Sequence, residues 1–394
     1  MSPAPTPLEQ PVRTDTARRR LTLGIPAAHA SYECRFPLTP EGASMLVERG
    51  VEVRLERGAA STIHFSDDDY RRHGVRIVER REAFAADIVL HLPAIEPADA
   101  AMLRQGGVLL TLFHKKAQTA DGVRALLQRH TIAIALDLVA DEAGNLPFAD
   151  ILHEVDGRAA MAIASSLLAD ALHGKGILLG GVAGVVPCEV TILGSDIAAC
   201  SAARSAIGLG AIVRMFDNDV YRLREALREL GQGNVIGSSL HPRVLAGALR
   251  SADVVIACDH RYPLEIGIDM VSEMKRGVIA FDLASEGTRC VFPTLQCIDL
   301  GSARAADVAP GAQVRSCYVN AGSAVPRTAA MALSTTLLTM FDDILVADGV
   351  TNALRFNAGL RGAVYTFLGK AVNADIARLA ACRPMDITIF LQFS

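Results

Sequence analysis

The stretch Gly194-Ser195-Asp196-Ile197-Ala198-Ala199 has the spacing of a glycine fingerprint for a dinucleotide. In such a fingerprint the first glycine makes a tight turn. The second lets the backbone approach a pyrophosphate, and the third, small position packs a helix on a strand. Gly194 and Ala199 are in place, and the middle position is Asp196. An acid there adds a side chain and a negative charge where the diphosphate would sit. The same acid at a helix start is favoured by the helix dipole, by roughly 0.3–1 kcal/mol, and can cap the first turn. Asp217 lies 23 residues after Gly194 at the end of the next apolar run, where a carboxylate can accept from a ribose hydroxyl. Two readings stand: an NAD site with Asp217 on the ribose, or a doubly wound fold without a dinucleotide, in which Asp217 caps Val220–Leu230.

The elements that position these residues follow from periodicity. Glu189–Gly194 reads as a strand, Ser195–Leu209 as an Ala-rich helix, and Ala211–Asp217 as a second strand. Ser251–Cys258 and Arg276–Leu283 continue a parallel sheet. Upstream, Arg20–Pro26, Val51–Glu56, Asp87–Pro93 and Gly106–Phe113 read as strands, the last ending at His114. Thr39–Gly50 reads as a helix with Thr39 as its cap, and Asp67–Gly74 as a helical turn. His153–His173 has no proline and is expected as a long helix bridging two domains. Ala329–Leu345 is expected as the helix that returns the chain to the first domain. The expected fold is α/β with two Rossmann-like domains. Residues 20–147 and 327–394 form a split substrate domain, 148–326 form the dinucleotide-binding-type domain inserted into it, and 1–19 are a disordered tail.

Composition narrows the function classes. With 51% hydrophobic and 21% charged residues in 394, the chain can fill two cores. The net charge of −4 comes from interspersed signs, so no basic stripe points to nucleic acid. No run of 18 apolar residues is found, so no membrane span is expected. The eight cysteines form no C-x-x-C pair, which fits neither a zinc site nor a disulfide framework. They read as buried thiols of a reducing, cytoplasmic protein.

Several ordered stretches resemble alanine dehydrogenase and the related first domain of the proton-translocating nicotinamide nucleotide transhydrogenase. They are CRFPLTPEGASMLVERGVEV (Cys34–Val53), LPFADILHEVDGRAA (Leu146–Ala160), GKGILLGGVAGVVPCEVTILG (Gly174–Gly194), AIGLGAIVRMFDND (Ala206–Asp219) and AVPRT (Ala324–Thr328). The resemblance implies oxidation of a small amino acid to its oxo acid with reduction of NAD, in a homo-oligomer that is commonly a hexamer. It implies that Arg35 holds the substrate carboxylate, as its planar fork suits. It implies His114 as acid/base, Glu286 in place of an active-site aspartate, and Gly194, Asp217, Asn320 and His153 at the cofactor. The family's active-site lysine falls on Pro93, which supplies no ammonium; His91, Lys115 and Lys116 are the cations nearest in sequence.

Each of these residues also has a structural reading: Arg35 paired with Glu33, His114 bonded at a strand end, Asn320 in a turn. The expected function is therefore an alanine dehydrogenase-like, NAD-dependent oxidoreductase. The alternative is a repurposed member, either a non-catalytic subunit or an amino-acid-modifying enzyme without hydride transfer.

Overall fold

The computed structural model describes residues 20–30, 32–231, 233–258, 264–283, 290–302, 308, 311 and 313–392. The tail 1–19 and Glu286 lie outside the described residues.

Two sheets carry the fold, and it is of the expected α/β class with Rossmann-like order. Strands β1 (Thr22–Ile25), β2 (Glu52–Glu56), β3 (Arg76–Val78), β4 (Ile88–Leu90), β5 (Val108–Thr111) and β6 (Ile132–Ala135) come first. They lie parallel in the order β3-β2-β1-β4-β5-β6. The second sheet holds β7 (Glu189–Leu193), β8 (Ile212–Phe216), β9 (Val235–Ser238), β10 (Val254–Ala257), β11 (Ile279–Asp282), β12 (Gln296–Asp299) and β13 (Ser316–Val319). Its order is β9-β8-β7-β10-β11-β13-β12, again all parallel. The chain then returns to the first sheet as β14 (Val364–Phe367) and β15 (Lys370–Ala371), which add antiparallel beyond β6. Strand order reverses between β1 and β4 in one sheet and between β7 and β10 in the other. Ligands of open α/β sheets bind at such switch points, beyond the C-terminal ends of the strands.

The short apolar runs VLLT, IAIA and VVIA are buried along their whole length, as parallel strands covered on both faces require. Along β10, Val254 and Ile256 enter one core while Val255 and Ala257 enter the core on the opposite face. That is the period of two a strand imposes.

The bridging helix runs Pro147–Ala169, starting and ending earlier than its apolar periodicity alone suggests. Pro147 sits in the first turn, where a missing N–H is tolerated. Asp170 stops the helix by accepting the N–H groups of Leu172 and His173. At Gly157 this helix lies against the helix Ile197–Gly208; a Cβ there would stand 2.2 Å from the Ala198 carbonyl oxygen. The return helix, Pro326–Val346, is long and apolar enough by length and composition to cross a membrane. Its Leu333, Leu337, Phe341 and Ile344 are fully buried in the first core, so its apolar side is spent on packing.

Candidate functional site

The loop after β1 meets the loop after β13. Asn320 Nδ2 donates to the Tyr32 carbonyl at 2.5 Å and to Asp299 Oδ1 at 3.3 Å. Asn320 Oδ1 accepts from Ser323 Oγ at 2.8 Å, and Ser323 Oγ in turn accepts the Cys34 N–H at 3.4 Å. Asn320 has φ +62°, and His114, at the end of β5, has φ +38°. Left-handed backbone at non-glycine residues costs about 1–3 kcal/mol and persists only where its surroundings over-determine it. At His114 those surroundings are explicit. Its carbonyl accepts from Ala117 N–H at 2.8 Å, Phe113 N–H is held by Asp137 at 2.8 Å, and Gln118 Nε2 donates to the Phe113 carbonyl at 2.8 Å.

The centre of the first wall is Glu33. Its carboxylate takes Arg35 Nε at 2.8 Å and Nη2 at 2.6 Å, and also the Arg35 backbone N–H at 2.9 Å. The same carboxylate lies 3.2 Å from His114 Nε2. All three residues are buried. Burial pushes the Glu33 carboxyl up, but the Arg35 charge and hydrogen bonds, joined by His114, outweigh it and hold Glu33 at about 2. Tyr32 covers His114 edge-on at 5.3 Å between ring centres. Asp156, on the bridging helix, accepts the Gly322 N–H at 2.7 Å. Desolvation raises its carboxyl against the attraction of Arg35. Arg35, Glu33, His114 and Asn320 are therefore brought to one place, whereas His153 is exposed on the bridging helix beside Asp150 and Asp156.

On the second wall Gly194 has φ +115°, and a Cβ there would meet the Cys258 carbonyl oxygen at 2.9 Å. That tight turn at the β7/β10 switch point is what the first fingerprint glycine is for. Asp196 caps the following helix, its Oδ1 taking the Ala199 N–H at 2.8 Å. Asp217 accepts from Ser195 Oγ and from the Asp219 N–H. The cap of helix Val220–Leu230 is Asp219, not Asp217; Asp217 holds the fingerprint loop to the end of β8 instead.

Comparison with known proteins identifies this arrangement. Residues 24–154 match the family model "Alanine dehydrogenase/PNT, N-terminal domain", and residues 160–374 match "Alanine dehydrogenase/PNT, C-terminal domain". The chain belongs to the alanine dehydrogenase/PNT family. It is 31% identical over 369 residues to the alanine dehydrogenase of Mycobacterium tuberculosis (strain CDC 1551 / Oshkosh), covering 91% of this chain and 96% of the relative. It is 30% identical over 362 residues to that of Staphylococcus epidermidis (strain ATCC 35984), with the same coverages. A solved L-alanine dehydrogenase superposes with a TM-score of 0.79 at 26% identity, over 91% of this chain and 99% of the other. A transhydrogenase from Sinorhizobium meliloti shares the fold, with a TM-score of 0.72 at 17% identity over 90% of this chain and 99% of the other.

The residues fit the nucleoside end of a dinucleotide. Gly194 makes the turn, and Asp217 stands at the end of β8, accepting two hydrogen bonds among the described residues of the roughly four a carboxylate can take. The departure is at the diphosphate, where Asp196 already satisfies an N–H of the first helical turn and adds like charge.

Pro93 supplies no ammonium, and neither His91 nor Lys115 stands in for one. His91 is buried against Phe84, and burial lowers it to about 4, so it is neutral near neutral pH. Lys115 points outward to Asp375 at 2.6 Å. Lys116 is exposed, and its charge reaches Cys297 on the opposite wall.

Glu33 was not singled out from sequence as a site residue, only as a partner for Arg35. The available signal was an acid two positions before Arg35. Nothing in the sequence brings His114 to it.

Proposed function

We propose that this protein is an alanine dehydrogenase-like oxidoreductase that interconverts a small 2-amino acid and its 2-oxo acid with NAD. The observation that carries the reading is the buried Glu33 carboxylate shared by Arg35 and His114 at the C-terminal edge of the first sheet. Arg35 pairs with the substrate carboxylate through its planar guanidinium. His114, with Nε2 3.2 Å from the Glu33 carboxylate, moves a proton at its imidazole. Glu33 orients both groups and acts through them. Gly194 gives the turn beside the cofactor, Asp217 takes the ribose and Asn320 the nicotinamide, with His153 at the cofactor and Glu286 as the active-site acid completing the family's set. Bound NAD supplies the hydride acceptor. The hairpin around the Val182–Val185 bridge exposes Leu178, Val182, Val185 and Val186, an apolar patch that supports a homo-oligomer, which light scattering would measure. We place the enzyme in the cytoplasm.

A second reading is favoured by Asp196 and Pro93: a family member that keeps the small-acid site and has given up the dinucleotide. Titration with NADH, followed by nicotinamide fluorescence, separates the two, and the absence of Trp keeps protein emission low. Saturable enhancement below about 1 mM supports the oxidoreductase. No enhancement, with pyruvate still binding by calorimetry, establishes the second reading.

A further inference from the structure

Tyr32, in the loop after β1, meets the ends of three other strands. Its hydroxyl accepts the Ala94 N–H at 3.0 Å, in the segment after β4. Its ring stands edge-on to His114, at the end of β5, with 5.3 Å between ring centres. Its carbonyl accepts from Asn320 Nδ2 at 2.5 Å, in the turn after β13 of the other sheet. Main chain and side chain are thus both held. The place is the β1/β4 switch point, where ligands of open α/β sheets bind.

A phenol can both accept and donate. The Tyr32 oxygen accepts from Ala94, but its O–H donates to no acceptor among the described residues. Tyr32 is half-buried, and a hydroxyl in such a place ordinarily finds a partner. Burial raises the phenol above its ordinary 10 against the pull of the Ala94 N–H, helped by the charges of Glu33 and Glu96. The proton therefore stays on oxygen through the neutral range, and Tyr32 is an uncharged donor awaiting an acceptor.

We propose that the Tyr32 hydroxyl donates a hydrogen bond to the 2-oxo oxygen of the small acid whose carboxylate Arg35 takes. The inference rests on the small-acid site proposed above and holds with or without a dinucleotide. Tyr32 and Arg35 lie three positions apart on one loop, so the two polar groups of the acid meet two donors from the same segment. The hydroxyl ends beside Ala94, one residue after Pro93, which supplies no ammonium. Nearby, His91 is buried and Lys115 is turned to Asp375. An oxo oxygen gains negative charge as a nucleophile adds to its carbon, and a donor already in place holds that charge. A site built to hydrogen-bond an oxygen also rejects the analogue that lacks it, so Tyr32 selects oxo acids over plain carboxylic acids of the same length.

The test compares pyruvate with propionate, which has the same carboxylate and chain length but no oxo oxygen. Both are titrated into the full chain by calorimetry at about pH 7.5, where both are ionised. The wild type is expected to bind pyruvate about tenfold more tightly than propionate. Tyr32→Phe keeps the ring at His114 and removes only the O–H. It should weaken pyruvate by about tenfold and leave propionate within about twofold of the wild type. A role confined to holding Ala94 or His114 weakens both acids alike, so equal losses overturn the proposal, as does unchanged pyruvate affinity. A wild type that binds the two acids equally also overturns it, and that comparison decides if Tyr32→Phe does not fold. A wild type that binds neither acid overturns the small-acid site itself, and the role of Tyr32 with it.

Discussion

Glu33 and Arg35 form a buried bidentate ion pair across one intervening residue, with Arg35 Nε 2.8 Å from Glu33 Oε1 and Nη2 2.6 Å from Oε2. Removing one partner of such a pair leaves a buried charge without compensation, which costs about 3–5 kcal/mol. Glu33→Gln is expected to lower unfolding stability by about 3 kcal/mol in urea titration. A change below about 0.5 kcal/mol would show that the pair is not holding the loop.

The same carboxylate sets a pH dependence. Glu33 is lowered from an ordinary 4.5 to about 2, Arg35 and His114 overriding the effect of burial. A depressed acid binds fewer protons in the folded state than in the unfolded state. Its contribution is therefore complete above about 4.5 and is lost as the pH falls towards 2. The urea midpoint of the wild type should fall more steeply between 4.5 and 2 than that of Glu33→Gln. Parallel curves would show that another group controls acid unfolding.

Arg35→Lys replaces a planar fork with a point charge that cannot hold Glu33 bidentately while also meeting a substrate carboxylate. Charged hydrogen bonds contribute roughly 1.5–3 kcal/mol each. Pyruvate affinity measured by calorimetry should therefore fall by about tenfold or more. Unchanged affinity would remove Arg35 from the site.

Asp196→Gly removes the charge at the diphosphate position and opens the backbone to it. An N-cap acid replaced by glycine costs only a few tenths of a kcal/mol, so the fold should persist. NADH affinity is expected to rise at least tenfold, about 1.4 kcal/mol. Equal titrations for the two proteins would show that Asp196 does not control cofactor binding.

Gly157 tests the packing between the two long helices. Even the methyl of alanine would stand 2.2 Å from the Ala198 carbonyl oxygen and 3.0 Å from Ala202 N. Backbone atoms cannot rotate away as a side chain can. Gly157→Ala should cost about 1–3 kcal/mol, read as a lower thermal midpoint, despite alanine's better helix propensity. An unchanged midpoint would mean that the helices slide apart at little cost.

Much of the fold was legible because its signals are local. The apolar runs, the Gly194–Asp217 spacing and the helix at Ile197 each depend on residues within one β-α-β unit. The Asp196 cap could be inferred for the same reason: a side chain three residues from the N–H it accepts needs no tertiary information. Of the two readings of Asp217, the cap of Val220–Leu230 fails: two acids stand next to the helix start, and only the backbone path shows that Asp219 is the one that reaches. The three-residue strand β3 and the strands β6, β9 and β12–β15 were not anticipated; such short runs acquire strand character from the neighbours they pair with.

The site divides along the same line. The sequence by itself determined the α/β class and the family, through the apolar runs and the ordered stretches from Cys34 to Thr328. Only the tertiary structure decided that Glu33 joins Arg35 to His114, that Asn320 reaches Tyr32, that His153 is exposed, and that His91 is too buried to carry charge. These relationships link residues on different strands and on different sheets. Distance and desolvation between such residues arise from packing, which no local pattern of residue types encodes.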